Sequence, residues 1–372
     1  MKYEINMENG IANVGNLFRL NELMRRAEAG EKLTLGFLGG SITMGCLSST
    51  PELCYSYLVY AWWKKTFPNA EFVYINAGIG GTTSQFGAAR VEADLLRYKP
   101  DFVIVEFSVN DDSTALFLET YEGLVRKIYS FDTKPAVMLV NNVRYNDGGN
   151  AQMEHGKVAR HYDLPQVSMQ STIYPEVVSG RIKNREITAD DLHPNDAGHE
   201  LVAGVITYFL EQVHHGAWQD KAYADTPERA PLTENQYENS VRYQNYNSTP
   251  VISGDWKEDK TKQESITEFF RNGWTAWEKG ASITFEIEGS GIAVQYRKSV
   301  NQPAPVAEVV IDGNRADAKC LDANFEETWG DCLYIDTILY HGEKKKHTVE
   351  ITLVKTHANE AVPFYLVSVI GS

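Results

Sequence analysis

The chain is short of positive charge, of cysteine and of long apolar runs, and each shortage argues against a class of function. Lys and Arg number 35 against 50 Asp and Glu, a formal net charge of −15 at pH 7. Such a balance repels polyphosphate, which argues against nucleic acid or anionic membrane as partners and favours a neutral substrate. No apolar run approaches the roughly 18 residues that a membrane span needs. The opening Met1-Lys2-Tyr3-Glu4 lacks the basic and apolar regions of a signal peptide, so a cytoplasmic protein is expected. Cys46, Cys54, Cys320 and Cys332 have neither C-x-x-C spacing nor the density of a disulfide framework, and free thiols are expected. No His, Cys or carboxylate cluster has metal-ligand spacing, so neither a metal nor another cofactor is expected.

What is present is ordinary globular composition, 43% hydrophobic and 23% charged over 372 residues. That length exceeds the usual size of one hydrophobic core and predicts two domains. Up to about residue 216, short apolar runs alternate with amphipathic stretches, the pattern of a parallel sheet wrapped by helices. Strands are expected over Leu33 to Leu38, Phe72 to Asn76, Phe102 to Phe107 and Ala136 to Val140. Helices are expected over Asn16 to Ala29, Tyr55 to Thr66, Gly87 to Arg97, Leu116 to Tyr129 and Ala197 to His214. This is an α/β, doubly wound parallel sheet over 1–216. Residues 217–255 are polar, carry Pro227, Pro231 and Pro250, and read as a linker. From 256 to 372 alternation takes over, as in Ile283, Phe285, Ile287 and then Ile292, Val294, Tyr296. An all-β, jelly-roll-like sandwich is expected there.

The candidate chemistry sits at the carboxyl ends of the predicted strands, the edge at which open α/β sheets bind ligands. The first strand runs into Gly39-Gly40-Ser41-Ile42-Thr43, which places a glycine-flanked hydroxyl in a turn, as an acyl-transfer nucleophile requires. Turn serines are commonly structural, and Thr43 occupies the last glycine's place of the G-x-S-x-G elbow. The second strand ends in Gly78-Ile79-Gly80-Gly81-Thr82-Thr83, a loop in which a backbone amide can approach a reacting oxygen unobstructed. Thr83 stands where a dinucleotide motif has its third glycine, which argues against a nucleotide. The third strand ends in Ser108-Val109-Asn110-Asp111, where Asn110 offers either a side-chain N–H donor or a helix cap. In Asp190-Asp191-Leu192-His193-Pro194, a carboxylate three residues before an imidazole makes an acid–base pair. Asp191 is nearer in sequence, and Asp196 with His199 repeats the spacing. The second pair falls in the opening turn of the last helix, where Asp196 suits a cap or dipole partner and His199 a structural role.

Taken together, Gly39-Gly40-Ser41, Gly81 before Thr82-Thr83, Val109-Asn110 and Asp190-x-x-His193-Pro194 stand in the order and rough spacing of the four blocks of the SGNH (GDSL-like) hydrolases. The chain resembles that family over about residues 33 to 200. The resemblance implies Ser41 as nucleophile, His193 as base and then acid, and Asp190 as its orienting carboxylate. It implies an oxyanion hole of the Ser41 and Gly81 N–H groups and the Asn110 side chain. Two departures stand out: Gly40 replaces the Asp of G-D-S, and Ser108 stands where the third block usually has Gly. The domain order and the G-G-S-I-T block resemble bacterial carbohydrate esterases of the mannan 2-O-acetylesterase type, with a carbohydrate-binding-module-like sandwich after the catalytic domain. That implies an acetylated oligosaccharide, manno-oligosaccharides favoured, as substrate.

Two other readings are kept. One is an SGNH esterase, thioesterase or lysophospholipase acting on acyl-lipid or acyl-thioester substrates. The other is a carbohydrate-binding protein with a dead hydrolase domain, which would need a lost triad member. In the second domain, Trp256, Trp274, Trp277 and Trp329 are candidates to stack on sugar faces, although tryptophans usually pack. Trp329, within the acidic Phe325 to Asp331 interruption, is the substrate-binding candidate.

Overall fold

The short apolar runs of the first half pair into a six-stranded sheet. In the computed structural model, which describes residues 3–262 and 268–372, Met1 and Lys2 of the N-terminal tetrapeptide lie outside the described residues. The strands are β1 (Ile11–Asn13), β2 (Lys32–Gly39), β3 (Glu71–Gly78), β4 (Phe102–Glu106), β5 (Ala136–Asn141) and β6 (Gln166–Ser168), in the order β1-β6-β5-β4-β2-β3. β2 runs parallel to both β3 and β4, β4 to β5, and β5 to β6, while β1 is antiparallel to β6. Strands β4 and β5 are buried along their whole length, as parallel strands covered on both faces must be.

The helices are α1 (Phe18–Glu28), α2 (Ser41–Met44), α3 (Tyr55–Thr66), α4 (Ser84–Asp94), α5 (Ala115–Tyr129), α6 (Gln152–His161), α7 (Ile173–Val178), α8 (Asn184–Ile187) and α9 (Asp196–His214). From α1, α3 and α9, Leu20, Val59, Trp63, Leu201 and Val205 share one core with Leu35, Phe37 and Ile104 of the sheet. Gly36 points the other way, against Leu95 just beyond α4, and α4 packs against α5. The expected strands and long helices are found, with one shift. The helix expected over 87–97 begins at Ser84 and gives way to a 3-10 turn, Leu96–Tyr98, before Lys99 at φ 52°. The elements between β5 and α9 had no sequence counterpart; of these, β6, α7 and α8 span only three, six and four residues, too few to show a period, whereas the ten-residue α6 was missed.

Two units divide the chain, one through Glu238 and one from Asn239 to Ser372. The stretch read as a linker, 217–255, contributes to both. Its first part is strapped to the first unit: Asp225 pairs with Arg19, Glu238 with Arg126, and the Leu232 and Thr233 N–H groups donate to the buried Glu122 carboxylate. Its polar composition thus reflects hydrogen bonding to side chains of α1 and α5. Its later part already holds two strands of the second unit.

That second unit comprises β7 (Val241–Tyr243), β8 (Val251–Ser253), β9 (Lys257–Glu258), β10 (Trp274–Ala276), β11 (Ser282–Gly289), β12 (Ile292–Lys298), β13 (Val306–Ile311), β14 (Lys319–Asp322), β15 (Cys332–Leu339), β16 (Lys345–Lys355) and β17 (Phe364–Gly371). They form two antiparallel sheets, β15-β12-β17-β10-β9 with β7 beside β17, and β14-β13-β16-β11-β8. Between them lies one core that includes Trp274, Phe285, Tyr296, Leu353 and Phe364. Ile283, Phe285 and Ile287 are buried while their neighbours are not, the period-two pattern of a strand with one face inward. Among the described residues no helix is long and apolar enough to cross a membrane, and all four cysteines are unpaired.

Candidate active site

The strand order puts the candidate residues together. Because β2 lies between β3 and β4 and parallel to both, the turns that follow all three strands emerge at one edge. The chain leaves β2 to one side for β3 and returns on the other for β4, so the turn after β2 is a topological switch point. Ser41 opens α2 in that turn. It is mostly buried, at 7% exposure.

His193 reaches Ser41 from the loop before α9. Its Nε2 lies 2.8 Å from Ser41 Oγ, and its Nδ1 lies 2.6 Å from Asp190 Oδ2. The three-residue spacing has a local cause. Asp190 Oδ1 accepts the backbone N–H groups of Leu192 at 3.0 Å and His193 at 2.8 Å, a side-chain-closed turn. That turn folds the imidazole back onto the carboxylate's other oxygen. Burial pushes the Asp190 carboxyl up, but the His193 ring and these two N–H groups outweigh it and hold it down at about 2. An ionised Asp190 therefore accepts the hydrogen bond of Nδ1–H and leaves Nε2 to accept from the Ser41 hydroxyl.

Asp191 points elsewhere. It adopts a left-handed backbone at φ 69°, and its carboxylate pairs with Arg185 at 2.6 and 2.9 Å and with the Asn184 amide. The Arg185 guanidinium holds that carboxyl below the usual range. The repeated D-x-x-H is also apart from the site. Asp196 accepts the N–H and hydroxyl of Ser49, both at 2.7 Å, and the cap of α9 is Asn195, which accepts from Gly198 N–H. His199 is buried, accepting from Tyr55 N–H and facing the Cys46 carbonyl at 3.2 Å, and burial lowers its pKa to about 4. Both side chains hold the loop between α2 and α3.

Three N–H donors face no partner within the described residues. The Ser41 N–H is the first amide of α2 and has no intrahelical acceptor. Gly81, at φ 67°, adopts a conformation that glycine takes without penalty, and its N–H donates to no protein group. The Asn110 amide lies against the Gly40 α-carbon: a Cβ on Gly40 would sit 2.3 Å from Asn110 Oδ1. One on Gly80 would sit 3.7 Å from the Ser41 Cβ. Ser41, the glycine loop and Asn110 are therefore neighbours. Among the described residues, no group of three or more His, Cys, Asp or Glu side chains is gathered as metal ligands.

Residues 37–201 match the model of the GDSL-like lipase/acylhydrolase family. The whole chain is similar to the crystal structure of a two-domain esterase active on acetylated mannans, co-crystallised with mannopentaose. The two are 65% identical, with 100% of this chain and 98% of that one covered at a TM-score of 0.96. The chain belongs to the GDSL-like family of esterases. The esterase is also similar to thioesterase 1/protease 1/lysophospholipase L1 of Escherichia coli K12, at 28% identity over 208 residues, 51% of this chain and 92% of that protein. Against the acetylxylan esterase of Geobacillus stearothermophilus the identity is 26% over 205 residues, 47% of this chain and 91% of that protein.

Both departures from the family blocks have local explanations in the esterase. Position 40 has no room for a side chain while the Asn110 amide lies where it does. The Ser108 hydroxyl is buried 3.0 Å from both Glu106 Oε1 and the Asn142 carbonyl, and its N–H donates to the same carboxyl oxygen. Glu106 ends an otherwise apolar strand, Phe-Val-Ile-Val-Glu, and that charged residue in a buried run was the sequence's clue to it. Its side chain is fully buried, and among the described residues no group meets Oε2 with full hydrogen-bond geometry, although the Asn142 amide bears on the carboxyl. Burial raises its pKa to about 7 despite the Ser108 bonds.

Two predictions follow from these carboxylates. Asp190→Asn lowers kcat by about 100- to 10,000-fold through the wrong imidazole tautomer, whereas Asp191→Asn, which loosens an exposed ion pair, changes it by about threefold or less; steady-state acetate release measures both. For Glu106 the folded pKa lies above the ordinary 4.5, so the unfolded chain loses its proton first and stability drains as pH rises from 4.5 through 7. Gln at 106 keeps the oxygen that Ser108 uses and cannot ionise. The unfolding free energy of Glu106→Gln minus that of the parent should therefore rise between pH 4.5 and 7 and then level off in urea titrations. A flat difference contradicts the buried acid.

Proposed function

We propose that the esterase removes O-acetyl groups from acetylated manno-oligosaccharides through an acyl-enzyme on Ser41. The observation that carries this reading is the 65% identity, over the whole chain, to an esterase active on acetylated mannans. The Ser41–His193–Asp190 hydrogen-bond chain supports the route. As Ser41 Oγ attacks the acetyl carbonyl carbon, its proton passes to His193 Nε2, and the imidazolium is stabilised by Asp190. The negative charge that develops on the carbonyl oxygen meets the N–H groups of Ser41, Gly81 and Asn110. Collapse breaks the bond to the sugar oxygen, which takes the proton from His193. Water then repeats the sequence on the acetyl-enzyme: His193 accepts its proton, hydroxide adds to the carbonyl, and acetate leaves as Ser41 regains the proton. A neutral sugar ester suits a chain of net charge −15, and four unpaired cysteines suit the cytoplasm.

The reading assigns the chemistry to the first unit and sugar contact to the sandwich. Trp256 and Trp274 are buried there, whereas Trp277 and Trp329 are 47% and 59% exposed. Trp329 meets Phe325 edge-on and donates from Nε1 to Glu327, leaving an aromatic face beside acceptors for sugar hydroxyls. A second reading rests on Met44 and Leu47, 37% and 43% exposed just after the nucleophile turn, an apolar rim of the kind a longer acyl chain would use.

The experiment compares acetate release from acetylated manno- and xylo-oligosaccharides with hydrolysis of a p-nitrophenyl ester series. The acetyl-mannan reading expects the highest kcat/KM on acetylated manno-oligosaccharides and a decline from p-nitrophenyl acetate to longer chains. A rise with chain length favours the acyl-lipid reading instead. Trp329→Ala should lower kcat/KM on the oligosaccharide by about tenfold, the worth of one sugar-stacking contact, and leave p-nitrophenyl acetate almost untouched. Equal losses on both would remove Trp329 from the substrate site.

A further inference from the structure

A second aspartate–histidine pair lies buried on the same side of the sheet edge, and the triad does not use it. Asp111 follows Asn110 in the turn after β4, where the N–H groups of both residues donate to the Phe107 carbonyl at 3.0 and 2.9 Å. Its Oδ2 lies 3.1 Å from His155 Nε2 on α6, and neither side chain has any exposure. The ring of His155 is stacked on Tyr121 of α5, centroids 3.5 Å apart and nearly parallel. Asn141 Nδ2 lies 3.1 Å from His155 Nδ1, and Gln166 Nε2 donates to Asn141 Oδ1 at 2.5 Å. With Gln166 donating to Asn141 Oδ1, the Asn141 N–H faces Nδ1 as a donor, which leaves Nε2 to donate to Asp111.

The other oxygen of Asp111 explains where this arrangement acts. Oδ1 accepts the N–H of Ser84 at 2.9 Å, the first residue of α4, whose N-cap Thr83 makes no side-chain bond to the helix. Asp111 supplies that cap from a different loop. Ser84 stands three residues after Gly81, and Asp111 stands one after Asn110. The carboxylate therefore ties together the two loops that carry the outer pair of N–H donors, and His155 fixes the rotation of that carboxylate. Burying a charged group costs stability unless every bond is made, and an apolar pair of similar volume is often as stable. What the polar arrangement adds is a fixed distance between two loops.

We propose that Asp111, oriented by His155, is a positioning residue that sets the separation of the Gly81 N–H and the Asn110 amide. The inference rests on the oxyanion-hole reading of those two donors. Preorganised donors aimed at developing charge act in the transition state and not on the ground-state ester. Misplacing them lowers kcat and spares KM.

The test uses the full chain with an acetylated substrate and with methylboronic acid, which adds to a serine hydroxyl as a tetrahedral anion. Asp111→Asn should lower kcat about 10- to 100-fold, a fraction of what losing a donor outright costs, with KM within about twofold. Its affinity for the boronate should fall in parallel. His155→Gln, which keeps an N–H toward Asp111, should hold kcat within about threefold, whereas His155→Leu should lose at least tenfold; this pair carries the test if Asp111→Asn folds poorly. In the Asn110→Ala background, Asp111→Asn should cost clearly less than in the parent, because one of the donors it positions is already gone. Full additivity, a rise in KM with kcat intact, or equal loss in both His155 variants overturns the inference while leaving the hole in place. An unchanged kcat in Asn110→Ala removes the hole itself, and the inference falls with it.

Discussion

Everything at the candidate site depends on the parallel pairing of β2 with β3 on one side and β4 on the other. Residue-for-residue register, from Leu35 against Tyr74 and Phe102 to Gly39 against Gly78 and Glu106, ends all three strands at the same level. That register alone brings Ser41, the glycine loop and Asn110 to one edge. A slip of two residues in either pairing would move one turn by about 7 Å along the strand axis, farther than any side chain in these turns can recover. The small residues at the strand ends answer to the same constraint. Gly39 and Gly78 each lie where a Cβ would meet the nucleophile turn, at 2.2 Å from Thr43 Oγ1 and Met44 N respectively.

Against this rigid edge the histidine arrives from a distant loop, and its placement is local chemistry. One carboxylate closes its own turn and receives the imidazole, so Asp190 and His193 form a unit whose internal geometry needs no tertiary support. Tertiary structure has only to deliver that unit to Ser41. The antiparallel bridge between Thr188 and Pro194 closes the base of the loop, and the Asn195 N–H donates to the Ile187 carbonyl at 2.8 Å. Asp196 and His199 then fasten the loop after α2 to the start of α9. The two D-x-x-H pairs thus divide the work: the first meets the serine hydroxyl, and the second holds the surroundings.

How much of this could be read from the sequence follows from how local each determinant is. The buried strands announce themselves as apolar runs, and the first D-x-x-H is a turn written within four residues. From the residues alone Asp190 and Asp191 both stayed open and only the family resemblance favoured Asp190; the structure supplies the reason, the left-handed conformation of Asp191 and its Arg185 partner. The Asp111–His155 pair was illegible, because its members are 44 residues apart and meet only when β4 and α6 are both in place. The polar stretch after residue 216 misled in a similar way, since a strap bonded to buried Glu122 and a solvated linker have the same composition. In the sandwich, β15 follows directly on the Trp329 loop and carries Tyr334, Asp336 and Thr337 within an otherwise apolar strand, which blurred its alternation.

The account's central claim is that the ester carbonyl is transferred to Ser41. Acid quenching during turnover of an acetylated manno-oligosaccharide, followed by peptide mass spectrometry, tests it directly. The account predicts acetylation confined to the peptide containing Ser41, formed within one turnover and lost as substrate is exhausted. Acetylation at another residue in place of Ser41, or acetate release that survives in Ser41→Ala, would contradict it.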